Sequence, residues 1–197
     1  MKSIYVYGNG GHGQVVADIA RAAGYGQVVF LDDAGADKFD ENLPKGDIIV
    51  AVGNNNVRRR LCKRVQAAGF NLVCLVHPSA VISPSAMLGA GVVVMPLVVV
   101  NARARIEEGV VINTAAVVEH DCQVHAYANI CPNVSLAGNV VVGEETDIGI
   151  GSCAIQGINI GANSLIGAGS VIVNHVADNV VAFGNPARTQ RLLHNSA

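Results

Sequence analysis

The sequence has 197 residues, 51% of them hydrophobic, which is enough apolar material for one large or two small domains with a buried core. Its 13 lysines and arginines nearly balance its 15 aspartates and glutamates at a net charge of −2, which argues against nucleic-acid binding through bulk positive charge. No apolar run approaches the ~18 residues of a membrane-spanning helix, and the N-terminal stretch lacks a signal-peptide layout, so we expect a cytoplasmic protein.

Strand and helix patterns alternate over the first 75 residues. SIYVYG is typical of a strand, and QVVADIARAAG predicts a helix that ends at Gly24. The apolar face of this helix should hold Val15, Ile19 and Ala22. VVFLDD, DIIVAVG and NLVCLV predict further strands, and NNVRRRLCKRVQAAG predicts a second helix that ends at Gly69. This alternation predicts a small α/β domain with a parallel sheet.

A glycine-rich loop follows the first predicted strand. Gly8, Gly10 and Gly13 match the spacing G-x-G-x-x-G, and Asp32 or Asp33 lies about twenty residues later, after the second strand. Glycines allow the backbone to approach a phosphate, and a helix N-terminus favours its charge. A dinucleotide site needs two mononucleotide halves, and this domain has room for about one. We expect a mononucleotide or nucleotide-sugar site; the alternative is a tight strand-to-helix turn.

A second loop, which begins at Gly53, also follows the C-terminal end of a predicted strand, where ligands bind in open α/β sheets. Of the three arginines that follow, Arg58 alone is a candidate for ligand contact, and the others should lie on a solvated helix face. Helix capping is the alternative role of Asn54 or Asn55. The candidate substrate-binding residues are Gly10, Gly11, His12, Gly13, Asp32, Asp33, Gly53, Asn54 and Arg58.

From Val76 to Ile172 one aliphatic position recurs every six residues, and Ala154 is the one position of the series without a large side chain. This period is typical of a solenoid whose repeat is one short strand and one turn. Three repeats of six make a triangular coil of eighteen residues, with coils about 4.8 Å apart. An all-parallel sheet would need crossover connections that the repeat has no room for. The prism resembles the left-handed parallel β-helix of the hexapeptide-repeat acyltransferases.

The cluster Glu119-His120-Asp121 follows the inward position Val118, which puts His120 on the outer surface of the prism. An imidazole titrates near neutral pH, and an adjacent carboxylate can fix its tautomer and stabilise its charged form. The cluster therefore favours a general base. A surface histidine with charged neighbours is the alternative.

Metal and thiol chemistry are the rival interpretations of this region. A zinc site would need a third ligand a whole number of coils from His120 or His125, and those steps reach Glu107 but no histidine or cysteine. We therefore expect no metal. The five cysteines are unclustered, and Cys122 and Cys131, which flank the histidines, should be reduced residues that fill space.

Motifs along nearly the full length carry a closer resemblance: YVYGNGGHG, FLDD, VGNNNVRR, HPSAVISPSA, NTAAVVEHDC, AGNVVVG and FGNPAR. Together they resemble the nucleotide-sugar N-acetyltransferases of the bacillosamine pathway and their relatives, the perosamine N-acetyltransferases and sialic acid O-acetyltransferases. The resemblance implies a homotrimer that binds acetyl-CoA in clefts between prisms and a nucleotide-sugar at the N-terminal domain. The balanced charge and the short apolar runs noted above predict no nucleic-acid partner and no integral membrane segment.

The resemblance also implies the roles of single residues. His120 corresponds to the general base, and Asp121 to its carboxylate partner. A second histidine of the family falls at Asn129, whose amide can still donate a hydrogen bond. Gly138 is the candidate for holding the oxyanion through its N–H. The implied acetyl-CoA contacts are Asn113, Asn129, Gly138, Ile150, Gly151, Gly167 and Pro186.

The pattern of the chain changes at His77-Pro78, which sets the expected domain boundary. We expect a Rossmann-like nucleotide-sugar-binding domain over 1–75, a left-handed β-helix acetyltransferase domain over 76–177, and a C-terminal turn and tail over 178–197. The implied reaction is N-acetylation of UDP-4-amino-4,6-dideoxy-N-acetylglucosamine by direct attack on acetyl-CoA. GDP-perosamine N-acetyl transfer and sialic acid O-acetyl transfer are alternatives. Outside this class, the alternatives are an NAD-dependent oxidoreductase and a non-catalytic nucleotide-binding scaffold.

Overall fold

The structure, a computed structural model, describes residues 1–193 and has a small α/β part followed by a long β-solenoid. The α/β part consists of β1 (Ser3–Tyr7), α1 (Gly11–Ala22), β2 (Gln27–Leu31), β3 (Asp47–Val50), α2 (Asn55–Ala67) and β4 (Asn71–Leu72). Its sheet is parallel, in the order β2-β1-β3-β4. The strand order reverses between β1 and β3, so the carboxyl ends of these two strands lie side by side at a topological switch point.

The two helices pack on opposite faces of this sheet. α1 packs with Val6 and Ile49 in a cluster that continues into the first coils of the solenoid. α2 packs with Ile48 and Val50 on the other face. Gly24 and Gly69, with φ of 93° and 81°, follow the helices as predicted, because glycine adopts the left-handed conformation without strain. With 12 and 13 residues, neither helix within residues 1–193 has the length or apolarity of a membrane span.

The apolar face of α1 differs from the predicted one. Val16, Ile19 and Ala20 are buried, whereas Val15 is 43% exposed and Ala22 is also exposed. The prediction of Val15 and Ala22 in the core is therefore wrong. The reason is that α1 lies between the sheet and strand β5 of the solenoid, and the i, i+3, i+4 set that begins at Val16 faces both.

Seventeen two-residue strands form the solenoid within residues 1–193, six residues apart as the repeat predicted. They are β5 (Leu75–Val76), β6 (Val81–Ile82), β7 (Met87–Leu88), β8 (Val93–Val94), β9 (Val99–Val100), β10 (Arg105–Ile106), β11 (Val111–Ile112), β12 (Val117–Val118), β13 (Gln123–Val124), β14 (Asn129–Ile130), β15 (Ser135–Leu136), β16 (Val141–Val142), β17 (Asp147–Ile148), β18 (Cys153–Ala154), β19 (Asn159–Ile160), β20 (Leu165–Ile166) and β21 (Val171–Ile172). A hairpin of β22 (Val180–Gly184) and β23 (Ala187–Leu192) follows the last coil.

Three sheets run along the solenoid as the faces of a triangular prism. The β5 face contains every third strand from β5 to β20 and adds β22 and β23; the β6 face runs from β6 to β21, and the β7 face from β7 to β19. Partners on successive coils differ by 18 residues, as in the pairing of Ile106 with Leu88 and Val124. The fold is the left-handed parallel β-helix that the sequence predicted.

The second residue of each strand points into the prism, and the interior is apolar along most of its length. Val94, Val118 and Val142 are fully buried, and so is the residue four places after each, for example Val98 or Cys122. Burial of this column of aliphatic side chains is the main stabilising term of a fold whose repeats cannot bury anything alone.

The corners of the prism share one backbone conformation. The third residue after each inward aliphatic has a positive φ at fourteen consecutive corners, from Gly91 to Gly169. Arg103 and Asp121 occupy this position in successive coils, and both have φ of 60°. Equivalent side chains of neighbouring coils therefore project from the corners one above the other.

Arg58 joins the α/β part to the solenoid. Its side chain is fully buried, with 0% exposure. All five of its N–H groups donate within the protein: Nε to the carbonyl of Gly109 (2.7 Å), Nη1 to those of Val52 (3.1 Å) and Gly53 (3.0 Å), and Nη2 to Asn55 Oδ1 (2.9 Å) and the carbonyl of Tyr127 (2.7 Å). The prediction that Arg58 contacts a ligand is therefore wrong, because no donor is left for one.

Candidate active site

His120 lies at the corner between β12 and β13, where the β6 face meets the β7 face; we call this the β6/β7 corner. Its side chain is 53% exposed, and its Nδ1 atom lies 2.8 Å from Oδ2 of Asp121. Its backbone N–H donates to Oε2 of Glu119 at 3.3 Å. Within residues 1–193, Nε2 of His120 has no hydrogen-bond partner. The predicted polar cluster therefore forms, with one ring nitrogen held and the other free.

The charge of Asp121 decides which nitrogen of His120 carries the proton. Hydrogen bonds from Arg103 and from His120 lower the pKa of Asp121 to about 2. An ionised carboxylate can only accept a hydrogen bond, so Nδ1 donates to it and the neutral ring keeps its lone pair on Nε2. Nε2 can then take a proton from a molecule bound at this corner.

Gly138 lies one coil after His120 at the same corner, and the imidazole rests against it. A Cβ atom at position 138 would lie 2.6 Å from Cε1 and Nε2 of His120, which is too close for any side chain. The N–H of Gly138 donates no hydrogen bond within the described part of the chain. Two predicted site residues are thus brought together by the coil repeat, with a free backbone donor close to the free ring nitrogen.

Arg103 lies one coil before Asp121 and was not among the predicted site residues. Its Nε donates to Oδ1 of Asp121 at 2.7 Å, and its Nη2 donates to Oδ2 at 2.8 Å. This bidentate ion pair is the strongest geometry in which an arginine binds a carboxylate. The signal in the sequence is the spacing of 18 residues between an arginine and an aspartate at equivalent corner positions.

The glycine loop between β1 and α1 has two kinds of glycine. A Cβ at Gly13 would lie 1.9 Å from the carbonyl oxygen of Gly8, and a Cβ at Gly8 would lie 2.5 Å from that of Ala51, so these two are required by the turn itself. Gly10 and Gly11 have open space around them. The first turn of α1 has no acidic residue and no side-chain cap, and the N–H groups of residues 11–13 have no acceptor among residues 1–193.

The two aspartates after β2 point in different directions. Asp32 accepts from the backbone N–H of Asn9 at 3.3 Å, which places its carboxylate beside the glycine loop. Asp33 accepts from Tyr7 Oη at 2.6 Å and from Arg64 at 3.0 Å, and the hydrogen bond from Tyr7 lowers the pKa of Asp33. Of the two candidates, only Asp32 is held at the loop.

The second loop positions α2. Asn54 is the N-cap of this helix, since its side chain accepts from the N–H of Val57 at 3.0 Å, which confirms the capping role proposed as the alternative for Asn54 or Asn55. The carbonyl of Gly53 is occupied by Arg58. His12, in the first turn of α1, has a buried Nε2 with no partner among the described residues, and burial with the charge of Arg58 lowers the pKa of His12.

Known proteins are similar to both parts of the chain. Residues 3–65 match the family described as the PglD N-terminal domain. A UDP-N-acetylbacillosamine N-acetyltransferase of Bacillus subtilis is 37% identical over 112 residues, 48% of this chain and 52% of that protein. The chain spans between about half and two thirds of the length of the curated relatives it matches first.

Two solved structures match over almost their whole length. The acetyltransferase domain of PglB from Neisseria gonorrhoeae, in complex with acetyl coenzyme A, is 42% identical with a TM-score of 0.92 over 96% of this chain and 99% of that one. The chain belongs to this family of hexapeptide-repeat acetyltransferases. PerB of Caulobacter crescentus, in complex with CoA and GDP-perosamine, is 37% identical with a TM-score of 0.93 over 97% of this chain and 98% of that one.

The predicted site residues lie on two different edges of the prism. His120, Asp121 and Gly138 lie at the β6/β7 corner. The predicted acetyl-CoA contacts Asn113, Ile150, Gly151 and Gly167 lie at the corner between the β5 face and the β6 face, Asn129 lies on the β5 face, and Pro186 lies between β22 and β23. A single chain therefore does not bring the two sets together, apart from Gly138, which lies beside His120.

A thiol nucleophile, the rival chemistry for an acetyltransferase, is disfavoured by burial. Burial raises the pKa of Cys122 to about 11 and that of Cys131 to about 11, so neither is a thiolate at neutral pH.

His125 and Glu107, the pair that lies one coil apart, are in contact: Nδ1 of His125 lies 3.0 Å from Oε1 of Glu107. Both residues line a groove of about 500 Å³. No group of three potential metal ligands occurs in residues 1–193.

Proposed function

We propose that the protein transfers the acetyl group of acetyl-CoA to the amino group of a nucleotide-linked amino-deoxysugar, with His120 as the general base. One observation carries this role: Nδ1 of His120 is held 2.8 Å from the Asp121 carboxylate, while Nε2, on an exposed corner, has no partner within residues 1–193. An amino sugar is partly protonated at neutral pH, so its nitrogen must lose a proton before or during attack. A histidine fixed in one tautomer is suited to accept it.

The transfer needs no covalent enzyme intermediate. The amino nitrogen forms a bond to the thioester carbonyl carbon, and Nε2 of His120 takes one proton from that nitrogen. The C–S bond then breaks, and the sulfur of CoA leaves as a thiol with the proton that His120 returns. The imidazole is neutral again after each turnover. Holding both substrates in line supplies much of the rate acceleration.

The N–H of Gly138 is our candidate for stabilising the negative oxygen of the tetrahedral intermediate. This donor has no acceptor inside the described chain, and it lies next to the ring that accepts the proton. A backbone donor aimed at developing charge is the usual device for acyl transfer. One corner of the prism would then supply both the base and the oxyanion donor.

The nucleotide part of the substrate is assigned to the carboxyl edge of the α/β sheet. Open space at Gly10 and Gly11, the uncapped first turn of α1, and the position of Asp32 beside Asn9 support this assignment. Free N–H groups at a helix N-terminus favour a diphosphate, and an aspartate at this place can accept from a ribose hydroxyl. Gly8 and Gly13 shape the loop instead of leaving room for a ligand.

We favour UDP-4-amino-4,6-dideoxy-N-acetylglucosamine as the acceptor. The resemblance of the motifs and the identity with the N-acetyltransferase of Bacillus subtilis support a UDP carrier and an amino group. GDP-perosamine is the second candidate, supported by the match to PerB, which was solved with that compound. O-acetylation of sialic acid requires a hydroxyl acceptor and has no such support among these relatives.

We further propose that the active form is a homotrimer in the cytoplasm, where acetyl-CoA and nucleotide sugars are available. The two edges that carry the predicted base and most of the predicted acetyl-CoA contacts meet only if neighbouring prisms share a site. Large apolar side chains are exposed on the prism, which supports a surface covered by other copies: Val81, Met87, Leu97, Ile150, Ile155, Leu165 and Phe183.

The deciding experiment is a panel of nucleotide sugars with acetyl-CoA, followed by release of the CoA thiol. UDP- and GDP-linked 4-amino sugars, their 4-hydroxy counterparts and sialic acid form the panel. We expect release with an amino sugar and none with its hydroxy counterpart. Binding of nucleotide sugars without thiol release from any acceptor would support the scaffold. A rise in melting temperature with NAD but not with CoA would support the oxidoreductase.

A further inference from the structure

We propose that Arg103 is a positioning residue of the active site: it clamps the Asp121 carboxylate and thereby sets the orientation of His120. This inference rests on the proposed function, in which His120 is the base. It extends the pair of His120 and Asp121 to a chain of three residues drawn from two coils.

The fold places Arg103 where it can act on Asp121. The two residues are 18 apart, hold the same left-handed corner position with φ of 60°, and so project side by side from successive coils. Both oxygens of Asp121 are used: Oδ1 accepts from Nε of Arg103, and Oδ2 accepts from Nη2. Oδ2 is also the oxygen that lies 2.8 Å from Nδ1 of His120.

The clamp matters because Asp121 is otherwise a short side chain on an exposed turn. Without Arg103 its carboxylate can rotate away from Nδ1, and the imidazole then loses the contact that fixes its tautomer. An exposed ion pair usually contributes little to folding stability, so stability alone gives no reason for this one. The planar guanidinium binds both carboxylate oxygens and so prevents this rotation. A lysine acts as a point charge and does not prevent it.

The guanidinium also changes the charge that His120 experiences. At this corner Glu119 and Asp121 flank His120 on its own coil and Arg103 lies on the coil before, whereas residues 137–139 of the next coil are uncharged. Arg105 lies further along, in strand β10 of the β7 face. The positive charge of Arg103 partly cancels that of the carboxylate.

The test compares Arg103→Gln, Arg103→Lys and the control Arg105→Gln, which removes the same charge from the same coil without touching Asp121. For Arg103→Gln we expect kcat to fall roughly tenfold, with both KM values within twofold of the parent, as for loss of one charge-assisted hydrogen bond. The acid limb of its kcat–pH profile should move to higher pH, because a positive charge near the imidazole is gone. The Arg103→Lys enzyme should have a lower kcat than the parent, but the acid limb of its kcat–pH profile should lie at the same pH.

Three outcomes would overturn the clamp. The first is an Arg103→Gln enzyme with unchanged kcat and unchanged pH profile, and the second is a loss confined to the KM of acetyl-CoA, which would mean a substrate contact. The third is that Arg103→Gln lowers kcat as much in the Asp121→Asn enzyme as in the parent, because the guanidinium has no carboxylate to hold there. His120→Ala is measured in parallel: full activity there refutes the proposed base, whereas an inactive His120→Ala with an unaffected Arg103→Gln refutes the clamp alone.

Discussion

The imidazole of His120 rests on the backbone of Gly138, one coil further along the prism, at a distance that leaves no room for a Cβ atom. Gly138→Ala should therefore push the ring aside while the fold persists, because the side chain that must yield lies on the surface. We expect kcat to fall by at least tenfold and the melting temperature to change by less than about 2 °C.

The control is Gly138→Ala in a His120→Ala enzyme, which lacks the imidazole. In the His120→Ala background a Cβ at position 138 has space, so Gly138→Ala should change neither kcat nor stability further. A large additional loss in that background would show that Gly138 serves the active site independently of His120.

His120→Ala tests the base directly. Turnover should fall by roughly 10²- to 10⁴-fold, the usual contribution of a positioned base, with the affinities for both substrates retained. His77→Ala is the matched control, since among residues 1–193 the side chain of His77 bonds only to Ser79, and its loss should leave turnover unchanged. If His120→Ala stays within a few-fold of the parent from pH 6 to 9, the base lies elsewhere, and His12 and His125 are the next residues to replace.

Asp121→Asn should cost less turnover than His120→Ala, because the imidazole remains. The pH profile gives the sharper readout. Removing the negative charge destabilises the protonated ring, so the acid limb should move to lower pH, opposite to the shift expected for Arg103→Gln. The carboxylate itself does not titrate in the assay range, since the pKa of Asp121 is lowered to about 2. Equal shifts in the same direction for both variants would contradict this account.

The fold followed from the sequence because the period of six survives along seventeen strands, and a pattern that long excludes other structures. The same coil spacing predicted Glu107 as the neighbour of His125, and the structure places the two 3.0 Å apart. Arg103 lies at the same spacing from Asp121 but was not predicted, because a spacing of one coil places two residues at the same corner without showing that their side chains meet.

Burial accounts for the predictions that failed. Arg58 carries the same charge as its neighbours Arg59 and Arg60, and nothing in the local sequence distinguishes an arginine that fills a gap between two parts of the chain from one in solvent. Val15 was misplaced for a related reason: the face of α1 that is buried depends on the solenoid beside it. Tertiary contacts of this kind leave no periodic signal.

The glycine loop predicts different results for two neighbouring substitutions. Gly11→Leu should raise the KM of the nucleotide sugar and leave that of acetyl-CoA nearly unchanged, because Gly11 borders open space at the helix N-terminus. Gly13→Ala should instead destabilise the fold, by roughly 1–3 kcal/mol, since its Cβ would meet the carbonyl of Gly8. Michaelis constants and thermal melts distinguish the two. Equal losses for both substrates in folded Gly11→Leu would assign the loop to structure.

The assembly is tested by its mass in solution and by placing a charged residue on the exposed apolar surface of the prism. Light scattering at micromolar concentration should give three times the chain mass of 20.3 kDa. Replacing an exposed apolar residue of the prism, as in Met87→Glu or Val81→Glu, should lower that mass and the activity together, because the predicted site draws on two chains. The exposed Arg60→Glu on α2 is the charge control. A monomeric parent with full activity would contradict the trimer.

The buried guanidinium of Arg58 has a consequence for exchanging parts between relatives. Its two shortest hydrogen bonds to the solenoid go to the carbonyls of Gly109 and Tyr127, stacked corner residues with φ of 65° and 60°. Backbone oxygens in a repeated conformation do not depend on which side chains the corners carry. An α/β part grafted from another member should therefore dock correctly if it brings this arginine at the same place in its second helix. A graft with lysine there would leave carbonyls without donors and should separate from the prism.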